Sequence, residues 1–311
     1  MPLSRLHERL YASPVLLLVL AMAFWACNTV AGRLAVDQIS PLLLVMLRWV
    51  GVLAVLWPAY GHEVRAAWPE LRHRWRWLIA MGFFGFTAFN VLFYYAAQTT
   101  SAVNIGILQG SMPIFVMVGA AFVYATRPGP LQIVGALITT IGVILVASQG
   151  SPLTLFNLAL NRGDLLMLIA CVLYSGYSVG LRSRPAMPGV VFFTLLAVVA
   201  TMTSVPLLAV DAALGTLKMP TLQGLLVTLF IAIFPSCLAQ LFYMRGIDLI
   251  GPARAGVFLN LVPIFSALLG VSLLGEPFRW YHGVAIALVI GGIWIAENAR
   301  PAAPPAQPPA R

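Results

Sequence analysis

SAVNIGILQGSMPIFVMVGAAFVY, Ser101–Tyr124, is apolar enough to lie in lipid, yet it carries Asn104, Gly106, Gln109, Gly110 and Pro113. It also recurs. At a constant offset of 150 and with no gap, Ser101–Val146 falls on Gly251–Ala296. Gly106, Pro113, Ile114, Phe115, Val134 and Gly142 then meet Gly256, Pro263, Ile264, Phe265, Val284 and Gly292. A kinking proline, two glycines and a shared PIF run coincide less readily by chance than leucines do. The chain therefore reads as two related halves of membrane helices, with this helix and its copy facing each other.

Composition fixes the solvent. Of 311 residues, 61% are hydrophobic and 9% charged, against roughly 25% charged in soluble domains. Mean hydropathy is +0.94. A net charge of +9 would suggest nucleic acid in a soluble chain. Here the basic residues sit in short connections between apolar runs, so they orient the protein in the bilayer and imply no nucleic-acid partner. Cys27, Cys171 and Cys237 lie inside apolar stretches, with no C-x-x-C and no His/Cys cluster. They read as buried thiols, with no metal and no cofactor. Arg5 and Arg9 ahead of an apolar run resemble a signal peptide, but Phe24, Trp25 and Ala26 before Cys27 give no small-residue cleavage site. That run is kept as the first membrane helix.

A spanning helix needs roughly 20 apolar residues. Ten stretches qualify: Pro14–Val36, Pro41–Tyr60, Trp77–Ala97, Ser101–Tyr124, Pro130–Gln149, Asp164–Arg182, Pro188–Val210, Thr221–Met244, Pro252–Leu274 and Arg279–Ala296. Each is long and non-alternating, and a helix satisfies its own backbone in lipid. The longest connections are the basic Gly61–Arg76 and Gln149–Gly163. This divides the chain into an N-terminus (1–13), a five-helix repeat (14–149), a linker (150–163), a second five-helix repeat (164–297) and a Pro/Ala-rich tail (298–311) expected to be disordered.

With the N-terminus inside, inner segments hold Arg5, Arg9, Arg65, Arg72, Arg74, Arg76, Arg127, Arg182, Arg184, Arg245, Arg300 and Arg311; outer ones hold Arg33, Arg162, Lys218 and Arg279. The bias predicts both termini in the cytoplasm. Five helices per half is odd, so the second half enters the membrane from the other side. The fold expected is an all-α polytopic membrane protein of ten transmembrane helices in two inverted five-helix repeats, the architecture of many secondary transporters with a midplane site.

Asp37, Asp164, Asp211, Asp248, Glu276 and Glu297 fall at helix ends, and His282 is peripheral. No catalytic constellation and no acid or histidine along a proton path stands out. Uncharged polar and aromatic residues remain. At the same offset Asn90 falls on Gln240, each followed by aromatics: Tyr94 shares a face with Asn90, and Tyr243 with Gln240. Gln109 and Asn260 lie one position out of register. Such amides also glue helices by interhelical hydrogen bonds; four on repeated helices point to at least one lining a polar cavity. Trp25 with Asn28, and Tyr174 on the counterpart helix, offer an aromatic over a small polar group. Trp57, Trp68, Trp75, Trp77 and Trp280 read as interfacial belt.

Arg48 is the one charge deep in an apolar helix, at a cost of at least roughly 2.5–3.5 kcal/mol on insertion scales. It should point inward and pair with helix-end carbonyls or a carboxylate, as structure or as a contact for an anionic solute. Gly106/Gly110 and Gly176/Gly180 allow close helix contact. Pro113 and Pro263 are expected to kink their helices, as hinges or as static shapers of the cavity.

The chain resembles the drug/metabolite transporter superfamily, in particular its EamA family of bacterial ten-helix metabolite exporters. The residues concerned are Trp25-x-x-Asn28, Pro41 with Arg48 downstream, the runs Phe93–Phe115 and Gly251–Pro277, and Gln132-x-x-Gly135 with Gly142-Val143. The GEP stretch Gly275–Pro277 is the most specific; the first half departs there with Ala125-Thr126-Arg127. The resemblance implies a non-enzymatic carrier in the cytoplasmic (inner) membrane, often an exporter of amino acids or related metabolites, with helices 5 and 10 peripheral. The expected path residues are Trp25, Asn28, Asn90, Tyr94, Gln109, Tyr174, Gln240, Tyr243 and Asn260. A membrane-embedded enzyme or a non-transporting scaffold is the alternative, and monomer and homodimer stay open.

Overall fold

A computed structural model describes residues 13–125, 128–151, 161–250 and 258–298, and among them every regular element is helical. The first half holds α1 (Pro14–Leu34), α2 (Pro41–Leu71), α3 (Trp75–Gly82, Phe83–Ala88 and Phe89–Thr99), α4 (Ala102–Gln109 and Met112–Tyr124) and α5 (Pro130–Ala147). The second holds α6 (Arg162–Gly180), α7 (Gly189–Ala213), α8 (Leu222–Ile231, Ala232–Leu238 and Ala239–Ile250), α9 (Leu261–Leu274, after the 3₁₀ turn Phe258–Asn260) and α10 (Trp280–Asn298).

Prolines open α1, α2 and α5, where the absent N–H is already without a partner. The Gly61–Arg76 connection is not a loop, as expected from its charge. α2 runs 31 residues to Leu71 through Pro58 and Pro69, roughly 46 Å at 1.5 Å per residue. That outreaches a hydrocarbon core of about 30 Å and carries Arg65 into the headgroup zone, its guanidinium 5.1 Å from the Trp57 ring. The chain reverses at the 3₁₀ turn Arg72–Arg74.

The packing is symmetric. α2 packs on α7, α4 on α9 and α5 on α10, each against its own copy; α1 on α8 is mirrored by α6 on α3, and α1 on α9 by α6 on α4. With five helices in each half, the second runs through the layer in the opposite sense. Local irregularities repeat too. α3 widens to a π-helix at Phe83–Ala88, and α8 does so at Ala232–Leu238. Ala125, closing α4, has φ +52, and its counterpart Gly275, closing α9, has φ +65.

The glycine contacts are partly as expected. A Cβ on Gly106 would collide with Ser266 of α9, and one on Gly180 would stand 2.6 Å from Met81 Sδ; Gly176 has nothing within 4 Å, so it makes no close helix contact. Pro113 follows an interruption of α4 by one turn, as the loss of its N–H and the clash of its ring with the carbonyl of residue 109 require, and Pro263 follows the 3₁₀ turn Phe258–Asn260. α4 breaks at Gly110–Ser111, before Pro113, and Pro263 stands in the first turn of the Leu261–Leu274 segment. A proline is tolerated in a first turn because no hydrogen bond is lost there.

Candidate functional site

α1, α2 and α3 converge on Arg48, which is 6% exposed. Its Nη1 donates to Asn90 Oδ1 (2.5 Å) and to the Tyr94 hydroxyl (2.8 Å). Tyr94 in turn donates to Asn28 Oδ1 at 2.8 Å. Asn90 is held by its own helix: Nδ2 donates to the carbonyl of Phe86 inside the π segment (2.5 Å), which turns the amide oxygen toward Arg48. A π-turn leaves backbone carbonyls without their usual partner, and such turns recur at functional sites. Arg48 also lies 5.2 Å from the Trp49 ring, and its buried Nε–H has no acceptor. Its partners are neutral side chains, not the carbonyls or carboxylate expected from sequence.

The other expected residues divide between the mirrored helix pairs. Between α1 and α8, the Trp25 ring packs tilted against Tyr243, centroids 5.1 Å apart, and donates Nε1–H to the carbonyl of Pro235 in the second π segment (3.1 Å). Between α6 and α3, the Tyr174 ring packs tilted against Phe89, centroids 5.0 Å apart. Gln109 Nε2 reaches the Ile105 carbonyl at 3.5 Å, one turn back on α4. Trp25, Gln109, Tyr174, Gln240 and Tyr243 are half-buried, whereas Asn28, Asn90 and Tyr94 are fully enclosed. The structure thus joins Asn28, Arg48, Asn90 and Tyr94 in one network and Trp25 with Tyr243 in a second. Gln109 bonds back to its own helix, and Tyr174 meets the first network through the rings of Phe89 and Phe93. The side chain of Asn260 lies outside the described residues.

Sequence reasoning missed a second polar cluster, at the face where α1 ends and α4, α6 and α10 begin. Asp164 and His282 are not peripheral but 1% and 4% exposed. Asp164 Oδ1 accepts from Thr100 Oγ1 (2.5 Å) and Asn104 Nδ2 (3.3 Å). The Arg279 backbone N–H donates to His282 Nδ1 (3.1 Å), which leaves the ring proton on Nε2 to meet Asn104 Oδ1 at 3.1 Å. A cleft of about 570 Å³ opens here, lined in part by Thr100, Asn104, Asn161, Arg279 and His282. Asn104 and Asp164 are 60 positions apart, and only the fold brings them together.

Glu276 lies on the same face. Gly275, left-handed, ends α9 with Gly275 N–H bonded to the Val271 carbonyl and Glu276 N–H to that of Gly270. This turn aims the Glu276 carboxylate at the start of α4, where Oε1 accepts from Ala102 N–H (2.9 Å) and Oε2 from Val103 N–H (3.0 Å). Arg33, at the end of α1, places Nε 3.8 Å from Glu276 Oε1 and donates Nη1–H to the Ala97 carbonyl at the end of α3 (2.5 Å). A carboxylate at a helix N-terminus and a cation at a C-terminus both match the macrodipole.

The family model described as EamA-like transporter family matches residues 12–148 and again 161–297. The chain belongs to the EamA-like transporter family. Among its relatives, the uncharacterized transporter YyaM of Bacillus subtilis (strain 168) is 29% identical over 71% of this chain and 72% of its own length. YetK of the same organism, likewise an uncharacterized transporter, is 23% identical over 89% and 84%. An uncharacterized transporter of Archaeoglobus fulgidus is 25% identical over 92% and 99%. One solved crystal structure, 20% identical in sequence, superposes with a TM-score of 0.62 over 91% of this chain and 96% of its own, which shows the fold. This EamA chain is a multi-pass membrane protein of a transporter family.

Proposed function

We propose that this EamA protein is a secondary carrier that exports a small polar metabolite, an amino acid or a close relative, by alternating access. In this reading both termini lie in the cytoplasm of a bacterial cell, and the substrate passes between the halves along Trp25, Asn28, Asn90, Tyr94, Gln109, Tyr174, Gln240, Tyr243 and Asn260. The observation that carries it is Arg48: a buried guanidinium whose partners among the described residues are an amide, a phenol and a ring, with one N–H left over. A cation kept in the membrane at a cost of roughly 2.5–3.5 kcal/mol with no counter-ion among the described residues suits a solute that brings its own carboxylate. Trp25 and Tyr243 supply a surface for the rest of such a zwitterion.

On the face with Glu276 the halves are tied to one another by hydrogen bonds from Asn161 to the Thr99 carbonyl (2.7 Å) and from Thr221 N–H to the Gln38 carbonyl (2.9 Å), besides those above. Near Tyr94 a crevice of about 10 Å³ lies among α1, α2 and α3. The test is counterflow in proteoliposomes across amino acids, their amides and decarboxylated amines. Exchange restricted to carboxylates supports the reading. Equal exchange of the amines, or none of any solute, overturns it.

A further inference from the structure

We propose that Glu276 and Arg33 form a latch that exists on one membrane face only, and that this latch makes the form closed at the start of α4 the resting form of the carrier. The inference rests on the carrier reading above and adds its conformational bias.

The clamp has a donor side and an acceptor side. The acceptor is the Glu276 carboxylate, 11% exposed, from the link between α9 and α10. The donors are two backbone N–H groups of the other half, Ala102 and Val103, at 2.9 and 3.0 Å. Arg33 adds a third strand, bridging the end of α1 to Glu276 and to the Ala97 carbonyl. The clamp is therefore built across the seam between the halves, at the end of the molecule that must part for a solute to leave. A Cβ on Gly270 would stand 2.9 Å from Glu276 Oε2 and 3.0 Å from Val103 Cγ2, so that glycine admits the approach of the two halves.

In an inverted repeat the same clamp should recur on the opposite face. The offset of 150 is sound there, because Ala125 and Gly275 share the left-handed cap that precedes the carboxylate. The sequence nevertheless removes the acceptor and one of the two donors, leaving only the N–H of Ala253, the counterpart of Val103. Thr126 stands where Glu276 does, and it has no carboxylate. Pro252 stands where Ala102 does, and proline has no N–H. At the described end of α4 the tie is of another kind: Tyr124 donates to the Val179 carbonyl (3.0 Å), and the Arg182 guanidinium lies 4.6 Å from its ring. Charge-assisted bonds to N–H groups are stronger than neutral ones, so the two closures are unequal. Opening the Glu276 face means leaving a carboxylate and two helix-terminal N–H groups to water; the other face has no carboxylate at the matching position, Thr126, to form such a bond on closing.

The experiment uses the full chain in proteoliposomes with Ala35→Cys as reporter. Ala35 is 5% exposed and lines the crevice above Tyr94, so a membrane-impermeant maleimide reaches it only when this face opens. Glu276→Gln should raise its labelling rate about tenfold, equal to about 1.4 kcal/mol. Glu276→Asp, which keeps the charge, should restore most of the slow rate. Arg33→Gln should give a smaller rise in the same direction, and it serves if Glu276→Gln fails to fold. Lys218→Gln breaks an exposed ion pair to Asp37 on the same face, and it should leave the rate unchanged. Labelling unchanged in Glu276→Gln and Arg33→Gln, or raised equally by Lys218→Gln, overturns the latch whatever transport does. Loss of solute exchange in the unsubstituted protein overturns the carrier reading whatever labelling does.

Discussion

Thr139 Oγ1 reaches the carbonyl oxygen of Val289 at 3.4 Å, and Val289 is the same position of the other repeat, 150 residues on. A residue that meets its own copy marks the pseudo-twofold axis. Around it α5 and α10 touch backbone to backbone: a Cβ on Gly142 would lie 3.0 Å from the Ala285 carbonyl, and one on Gly292 would strike Thr139. In lipid, where water does not drive helices together, such small-residue seams supply the packing that holds them. α5 and α10 are thus fastened to one another, while α1, α3, α6 and α8 carry the polar groups.

Arg48→Met separates a transport role for that charge from a structural one. The replacement is apolar and of similar length, and Tyr94 keeps Asn28 as partner. Folding stability should hold or rise, because the insertion cost of roughly 2.5–3.5 kcal/mol vanishes. Exchange of carboxylate solutes should fall at least about 100-fold, roughly 2.7 kcal/mol. Arg48→Lys should not rescue it, since an ammonium cannot reproduce the planar fork. Thermal melting in detergent beside counterflow checks both halves of this expectation.

Two glycines of one type should respond in opposite ways. Gly106→Ala drives a methyl into Ser266 and should destabilise by about 1–3 kcal/mol, as overpacking does. Gly176→Ala meets nothing within 4 Å and should be neutral or stabilising by up to about 1 kcal/mol. Melting midpoints of the two variants decide the matter.

Ala125→Gly should stabilise the protein by about 1 kcal/mol. Alanine there holds φ +52, a conformation that costs an L-residue roughly 1–2 kcal/mol and glycine little. A midpoint that fails to rise would mean the left-handed cap is not held in solution.

Sidedness has its own check. Asp37, whose side chain is 81% exposed, should be labelled as Asp37→Cys from outside intact cells by an impermeant maleimide. A tag ahead of residue 14 should be cleaved only in inverted vesicles. The reverse pattern would invert the orientation and, with it, the direction assigned to the resting form.

The helices and the repeat were legible in sequence because both rest on period and composition, which survive without contacts. Pro113 and Gly142 align with Pro263 and Gly292 by offset alone; Gly256, the match of Gly106, lies outside the described residues. Arg48 was visible as a costly charge, but its partners were not: Asn90 is 42 residues away, and no local rule names an amide over a carbonyl. Asp164, Asn104 and His282 were missed because helix-end residues look solvent-facing one at a time. Only the meeting of three helix starts buries them. Glu276 carried a signal in the GEP run, and its physical sense, a carboxylate for another helix's first turn, needed the fold. The helical continuation of α2 past Tyr60 was hidden by the arginines and prolines that made the segment read as a loop.

The widened turns in α3 and α8 leave one further mark. Each holds a surplus residue relative to a regular helix, and Asn90 and Gln240 each stand two residues beyond the turn. One residue more or less changes the compass bearing of everything downstream by about 100°. Deleting a single residue within Phe83–Ala88 would leave a sound helix in the bilayer, yet one pointing Asn90 and Tyr94 away from Arg48. The azimuth of the polar groups is thus set by chain length within one turn, a quantity that no side-chain substitution can restore.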